Sequence, residues 1–275
     1  MKTISPSPNE QLAAQAFNRQ SSVFDHLYTP NQIIQYKRKR VRDHIAAFLP
    51  DQSRILELNA GTGEDAIYFA QQGHTVHATD IAENMQEQLR AKVAAHNLTS
   101  RISTENCSFT ALNNLQHRGP YDLIFSNFAG LNCTGELDKV LLSFSTLVKP
   151  GGYVTLVIMP SFCLWEALMA LKGDFKTAFR RSTKTAGTTA HVEGTYFKCW
   201  YYRPSYVRNV LSKEFEHIHT EGLCSIVPPS YLETFPLKLP RLYKQLVKAE
   251  AKFAGSFPWK YIGDYFVITM KRRIA

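Results

Sequence analysis

The order of apolar and polar positions along the chain predicts alternating strands and helices. Short apolar runs separated by stretches with helical spacing indicate parallel strands that are covered on both faces. The predicted strands are 54–60, 75–80, 102–107, 121–128 and 153–159, and the helices between them are 63–73, 83–97 and 136–148. This alternation is typical of a doubly wound α/β fold.

The flanking segments follow other patterns. Asn31 is expected to cap a helix with an apolar stripe and with basic residues that face away from that stripe. After Pro160, an apolar helix precedes a polar segment, 181–193, whose weak periodicity indicates an inserted cap or a mobile loop. Residues 215–227 and 264–271 are expected to pair as an antiparallel hairpin, with a long connection that contains a helix at 240–253.

The turn after the first predicted strand carries the candidate chemistry. Residues 57–63 read ELNAGTG, and Gly61 and Gly63 let a ligand approach the backbone closely because they lack a Cβ. Asp80 ends the next strand, where a carboxylate can accept hydrogen bonds from both hydroxyls of a ribose. These features predict a nucleoside cofactor.

Two cofactors fit this turn. Residues 61–66 also match the G-x-G-x-x-G/A pattern of dinucleotide-binding proteins. We favour S-adenosylmethionine, because Glu57 lies in the strand and because Glu64 and Asp65 occupy the helix N-terminus. A pyrophosphate would need that helix end free of negative side chains, since the exposed N–H groups and the helix dipole there would bind it. An NAD(P)-dependent oxidoreductase is the more distant alternative.

Several motifs in the same order resemble class I S-adenosylmethionine-dependent methyltransferases, similar to the small-molecule group of ubiquinone and menaquinone biosynthesis. Residues 57–63 match the family's D/E-x-G-x-G-x-G loop, with Asn59 in place of the first glycine. Residues 121–128 resemble the fourth strand, and 147–153 resemble the turn before the fifth. The resemblance implies a Rossmann-like α/β fold: a seven-stranded, mostly parallel sheet with an antiparallel C-terminal hairpin and helical cap insertions.

The resemblance also implies a set of site residues. Ser108 stands where the family often has an acidic residue, so we expect a weaker contact to the adenine amino group. As a general base, which only some acceptors need, we select His191 and Tyr28, ahead of Glu193, His26 and Tyr202. No metal site is predicted. The predicted cofactor-binding residues are Tyr28, Glu57, Asn59, Ala60, Gly61, Gly63, Asp80, Ile81, Met85, Ser108, Phe109 and Asn127.

Four parts of the chain are predicted from these patterns. Residues 1–52 form a helical cap over the cofactor, 53–160 form the cofactor-binding core, and 161–204 form a cap or lid. Residues 205–275 complete the core and carry a substrate-side insertion at 228–262. Aromatic residues in the insertions favour a pocket for an aromatic or apolar small molecule, methylated on O, N or C.

Charge leaves one alternative open. The chain has 32 Lys and Arg against 23 Asp and Glu, a formal net charge of +9, concentrated at 37–42, 180–181 and 271–273. Such basic segments can bind a polyanion, so an rRNA or tRNA methyltransferase is the second hypothesis. We favour the interpretation that these charges are solvated surface residues.

The remaining composition bounds the location and partners. The five cysteines have no C-x-x-C spacing, which predicts reduced thiols in a cytoplasmic protein. The longest apolar stretch, 152–171, contains Pro160 and Glu166, so we expect no membrane span. Residues 1–10 are polar and contain proline, so we expect no signal peptide. We expect a monomer or a homodimer.

Overall fold

Seven strands form one sheet in a computed structural model that describes residues 6–182 and 186–274. The strand order is β3-β2-β1-β4-β5-β9-β8, and β9 runs antiparallel to both of its neighbours. This confirms the predicted sheet and its C-terminal hairpin. The strands are β1 (Arg54–Leu58), β2 (Thr75–Asp80), β3 (Ile102–Asn106), β4 (Tyr121–Ser126), β5 (Val148–Ile158), β8 (Phe215–Leu223) and β9 (Tyr265–Arg272).

Helices cover both faces of the sheet. Along β1, Leu56 and Leu58 point into one buried cluster and Ile55 into the other, so apolar packing covers both faces of the strand. Short 3-10 turns extend some of the helices, and a separate one, Phe109–Asn114, follows β3. The helices are α1 (Pro8–Tyr28), α2 (Gln32–Ala46), α3 (Glu64–Gln71), α4 (Glu83–Ala95), α5 (Leu137–Ser143), α6 (Leu164–Ala167), α7 (Phe175–Phe179), α8 (Pro204–Leu211), α9 (Phe235–Lys238) and α10 (Pro240–Phe253).

The first helix of the predicted N-terminal cap, α1, is continuous from Pro8 to Tyr28. Ser7 caps α1, since its side chain accepts a hydrogen bond from the Glu10 amide, and Pro8 occupies the first turn. Small residues, Ala13 and Ala16 among them, let the helix lie close to the core.

The polar segment after Pro160 contains a second, separate β-structure. Strands β6 (Thr188–Val192) and β7 (Thr195–Cys199) pair antiparallel around a turn at Glu193 and Gly194. Part of the segment predicted as an inserted cap or a mobile loop, 181–193, therefore belongs to a β-hairpin. Alternate residues of β7 are buried, because its inner face packs under α1.

Two basic residues of α2 face inward, so the prediction that its charges avoid the apolar stripe is wrong for Lys37 and Arg38. Lys37 is 1% exposed; its Nζ donates to Ser230 Oγ at 3.1 Å and lies 4.5 Å from the ring centroid of Tyr265. Arg38 is 8% exposed and pairs with Asp65 at 3.2 Å. Buried charges require such partners, and the spacing of apolar residues along the helix does not reveal them.

Candidate functional site

A cavity of about 130 Å³ lies at the carboxyl ends of β1, β2 and β4, and α1 forms its roof. A larger groove of about 940 Å³ opens beside Pro160 and Tyr202, but it shares no lining residue with this cavity. We place the functional site in the smaller cavity because the glycine turn and Asp80 line it. Its walls are Glu10, Ala13, Ala14, Phe17, Phe24, Asn59, Gly61, Asp80, Ile81, Ala82, Met85, Phe109, Asn127, Phe128, Gly130 and Cys133.

Left-handed backbone shapes the turn between β1 and α3. Asn59, Gly61 and Gly63 have φ angles of 47°, 56° and 81°. Asparagine tolerates this region, so Asn59 preserves the turn where the family has a glycine. A Cβ on Gly63 would lie 1.9 Å from Leu89 Cδ1, so a side chain there would collide with α4.

The Asp80 carboxylate is held in place by two backbone amides. Its Oδ2 accepts a hydrogen bond from Gly61 N at 2.9 Å, and its Oδ1 accepts one from Ala82 N at 2.8 Å. Burial raises the pKa of Asp80, and these amide hydrogen bonds oppose the rise. Each oxygen keeps a further lone pair, so the carboxylate can also receive both ribose hydroxyls.

Seven of the predicted cofactor residues line the cavity: Asn59, Gly61, Asp80, Ile81, Met85, Phe109 and Asn127. Five others do not: Tyr28, Glu57, Ala60, Gly63 and Ser108. Glu57 is 3% exposed within β1, and burial raises its pKa well above the usual range. The contacts of all twelve with the cofactor stay predictions.

The acidic residues at the start of α3 have partners within the protein. Asp65 accepts hydrogen bonds from Arg38, Arg42 and Asn127, and Glu64 pairs with Lys92 at 2.8 Å. Neither residue lines the cavity. Their charges are thus compensated locally, and they give less support to a cationic ligand than the sequence suggested.

The two predicted general bases lie apart from each other. His191 is exposed on β6, where its ring centroid is 4.4 Å from that of Tyr196. Tyr28 ends α1 and packs against Phe24, which lines the cavity, at 4.6 Å between ring centroids. The catalytic role of each remains a prediction.

Glu10 is a charged cavity residue that the sequence did not predict. Phe17 and Phe24 lie within residues 1–52, which were predicted to form a helical cap over the cofactor. Glu10 instead follows Ser7 by three residues, and that spacing reads as a helix-capping box. In the structure its carboxylate turns inward, toward Ser108 and Thr110.

Two side-chain clusters bring three possible metal ligands within 4.8 Å of one another. They are His44, His219 and Glu221, and Cys163, Glu166 and Asp264. In each cluster an arginine already holds the carboxylates: Arg40 binds Glu221, and Arg181 binds both Glu166 and Asp264. A metal ion would have to displace these arginines.

A family comparison agrees with this geometry. Residues 55–152 match the family model described as a methyltransferase domain. The matched segment runs from β1 through the turn that precedes Tyr153, so this part of the chain is similar to a methyltransferase domain.

Curated relatives match this domain over part of their length. The chain is 33% identical over 113 residues to the S-adenosyl-L-methionine-dependent Diels-Alderase iccD of Talaromyces variabilis, covering 40% of this chain and 37% of that protein. It is 26% identical over 114 residues to the tRNA 5-carboxymethoxyuridine methyltransferase of Escherichia coli K12, covering 41% and 42%. The chain thus spans less than half of either relative.

Solved structures share the whole fold. The [4+2]-cyclase SpnF superposes with a TM-score of 0.63 at 15% identity, covering 98% of this chain and 99% of that one. The 1,6-didemethyltoxoflavin-N1-methyltransferase of Burkholderia thailandensis, solved with S-adenosylhomocysteine, superposes with a TM-score of 0.56 at 14% identity, covering 100% and 94%. Within residues 6–182 and 186–274, no helix is long and apolar enough to cross a membrane.

Proposed function

We propose that the protein transfers the methyl group of S-adenosylmethionine to an aromatic or apolar small molecule. The observation that carries this proposal is the roof of the cavity. Helix α1 crosses the cavity, and four phenylalanines, Phe17, Phe24, Phe109 and Phe128, line it. An apolar enclosure of this kind suits a metabolite that can be surrounded, and it excludes the water that would compete for polar groups.

In the proposed reaction, the protein contributes mainly by positioning the methyl donor and the acceptor. The cofactor supplies the activated methyl group, and the protein orients donor and acceptor for an in-line displacement. In this proposal Asp80 holds the ribose, and the left-handed turn admits the rest of the cofactor past Gly61. Since the cavity is below the ~300–1,000 Å³ typical of ligand sites, α1 or its side chains would shift outward to admit both ligands.

The pairing of the basic residues argues against the RNA alternative. Of the cations at 37–42, Arg38 and Arg42 bind Asp65, and Arg40 binds Glu221. In the second basic segment, Arg180 and Arg181 both bind Glu166. Cations held this way are costly to redirect toward phosphates. The similarity to a tRNA methyltransferase keeps RNA as a testable acceptor.

The similarity to two cyclisation proteins favours a second candidate. Both the Diels-Alderase and the [4+2]-cyclase have names that describe ring formation rather than methylation. In that case S-adenosylmethionine would bind without reacting, and the aromatic enclosure would fold a polyene-like substrate. The fate of the cofactor separates the two candidates.

The test follows the cofactor's methyl group. The protein is incubated with methyl-labelled S-adenosylmethionine and either metabolite pools or deproteinised tRNA, and label and S-adenosylhomocysteine are quantified. Our proposal expects S-adenosylhomocysteine to form with the metabolite pools, and it expects Asp80→Asn to slow that reaction. Label in tRNA alone would replace the metabolite with RNA. A metabolite that is converted while S-adenosylmethionine stays intact would favour the cyclisation candidate instead.

A further inference from the structure

One carboxylate oxygen in the cavity is buried without a partner. Glu10 is 1% exposed and lines the cavity, yet its Oε1 has no hydrogen-bond partner within residues 6–182 and 186–274. Its Oε2 accepts hydrogen bonds from Ser108 Oγ at 2.6 Å and Thr110 Oγ1 at 2.9 Å. Buried polar atoms are almost always hydrogen-bonded, so an unpaired carboxylate oxygen at a cavity wall indicates that a bound ligand donates a hydrogen bond to it.

The neighbours of Glu10 indicate which part of the cofactor would meet it. Asp80 marks the ribose, and Ile81 and Phe109, which flank it in the cavity wall, offer apolar surfaces for a base. Ser108 stands where similar proteins often carry an acid toward the adenine amino group. Here that position holds a hydroxyl, and the hydroxyl binds Glu10 instead. The missing carboxylate is thus supplied from α1, 98 residues earlier in the chain.

We infer that Glu10 Oε1 accepts a hydrogen bond from the 6-amino group of adenine and so makes the site selective for a 6-amino purine. This inference rests on the S-adenosylmethionine site of the proposed function. Ser108 and Thr110 orient the carboxylate through Oε2, which leaves Oε1 directed at the base. A 6-oxo purine would place an oxygen against that carboxylate, where two acceptors repel and neither is satisfied.

The inference explains why α1 covers the cofactor. A residue on this helix reaches the base only when α1 lies across the cavity, so recognition of adenine and closure of the roof become the same event. Asn9 on α1 donates to the carbonyls of Cys133 and Lys198, and its side-chain oxygen accepts from Lys198 N, which fixes this end of the helix over the site.

Calorimetric binding of two ligands, S-adenosylhomocysteine and S-inosylhomocysteine, tests the inference. For the unaltered protein we expect the adenosyl compound to bind about 10- to 100-fold more tightly, as expected for a hydrogen bond to a charged group. In Glu10→Gln that ratio should fall toward one, since an amide can accept from an amino group or donate to a 6-oxo group. Asp80→Asn, the matched control, should weaken both ligands and leave the ratio unchanged.

The outcomes separate this inference from the proposed function. A ratio below about threefold in the unaltered protein would overturn the role of Glu10 without any variant. An unchanged ratio in a folded Glu10→Gln protein would overturn it as well. Selective binding of S-adenosylhomocysteine without any methyl transfer would contradict the proposed function and leave the Glu10 inference supported. Failure of the unaltered protein to bind either ligand would overturn both.

Discussion

Two glutamates, equally buried, differ in how their oxygens are used. Glu10 and Glu166 are each 1% exposed. Both oxygens of Glu166 accept hydrogen bonds from arginines, whereas one oxygen of Glu10 has no partner in the described part of the chain. The first arrangement is complete within the protein and the second is not. Burial alone therefore does not mark a site, but an incomplete set of hydrogen bonds at a cavity does.

A buried ion-pair cluster, here called the clamp, is formed by Glu166, Arg180, Arg181 and Asp264. Arg181 binds Glu166 and Asp264 and also donates to the backbone carbonyl of Asp264 at 2.9 Å. These contacts tie the segment after β5 to the start of β9. Burial raises the pKa of Glu166, but hydrogen bonds from Arg180 and Arg181 outweigh it and hold this pKa below the usual range. The net direction is that of a carboxylate whose charge is matched.

Removing the clamp should have the largest effect on folding. Arg181→Met removes the more deeply buried of the two arginines that bind Glu166, and it also removes a donor to Asp264. We therefore expect a loss of about 3–5 kcal/mol in the free energy of unfolding. Urea denaturation measures it. Arg208→Met, which alters an exposed arginine on α8, is the control and should change stability by less than about 0.5 kcal/mol.

The same pair of regions can be compared by cofactor affinity. If folded Arg181→Met binds S-adenosylhomocysteine about as well as the unaltered protein while Glu10→Gln does not, the clamp and the site are separate. Equal losses of affinity in both variants would show that the division between the two regions is wrong.

Asp80→Asn should give the next largest effect, and mainly on binding. Replacing the carboxylate removes a charged acceptor from the ribose, which we expect to weaken cofactor binding by about 1.5–3 kcal/mol. The amide nitrogen would also face one of the two backbone donors, Gly61 N or Ala82 N, so stability should fall by about 1 kcal/mol. Titration calorimetry and urea denaturation measure the two parts, and an affinity within twofold would exclude the ribose contact.

The third prediction concerns His44, which lies beside Glu221, a buried carboxylate that is paired with Arg40 at 2.8 Å. Burial lowers the pKa of His44 to about 4. A histidine whose folded-state pKa is lowered costs stability as it becomes protonated, so this loss should appear as the pH falls from 6.5 toward 4. In His44→Gln, the loss in the free energy of unfolding over that pH range should be smaller, by an amount on the order of 2 kcal/mol. Identical pH profiles for both proteins would contradict the assignment.

The sequence predicted the cofactor end of the sheet because the determinants there are local. The turn at Asn59–Gly63 and the position of Asp80 follow from short motifs, and apolar runs specify the parallel strands. The inward path of Lys37 and Arg38 was not predictable from periodicity, since it depends on Asp65, Ser230 and Tyr265, which lie far away in the chain.

The site was predicted only in part for the same reason. Glu10 meets Ser108 across 98 residues, and its local context matches an ordinary helix cap. The hairpin at 188–199 was missed because its outer face is polar and its inner face is completed by α1. Where stability depends on a distant partner, a single sequence carries little signal.

The smallest effect is expected at Lys39, whose charge is exposed. Its side chain is 75% exposed and pairs with Asp43 at 2.6 Å, a surface ion pair that typically contributes less than about 1 kcal/mol. Lys39→Ala should therefore leave stability against urea almost unchanged.

Lys39 is also the most exposed cation among residues 37–42, so it is the residue through which this segment would meet RNA. We expect weak RNA binding at physiological salt and no change in its salt dependence on substitution. Submicromolar binding whose salt slope falls by about one unit in Lys39→Ala would assign this surface to RNA and reverse the choice of acceptor.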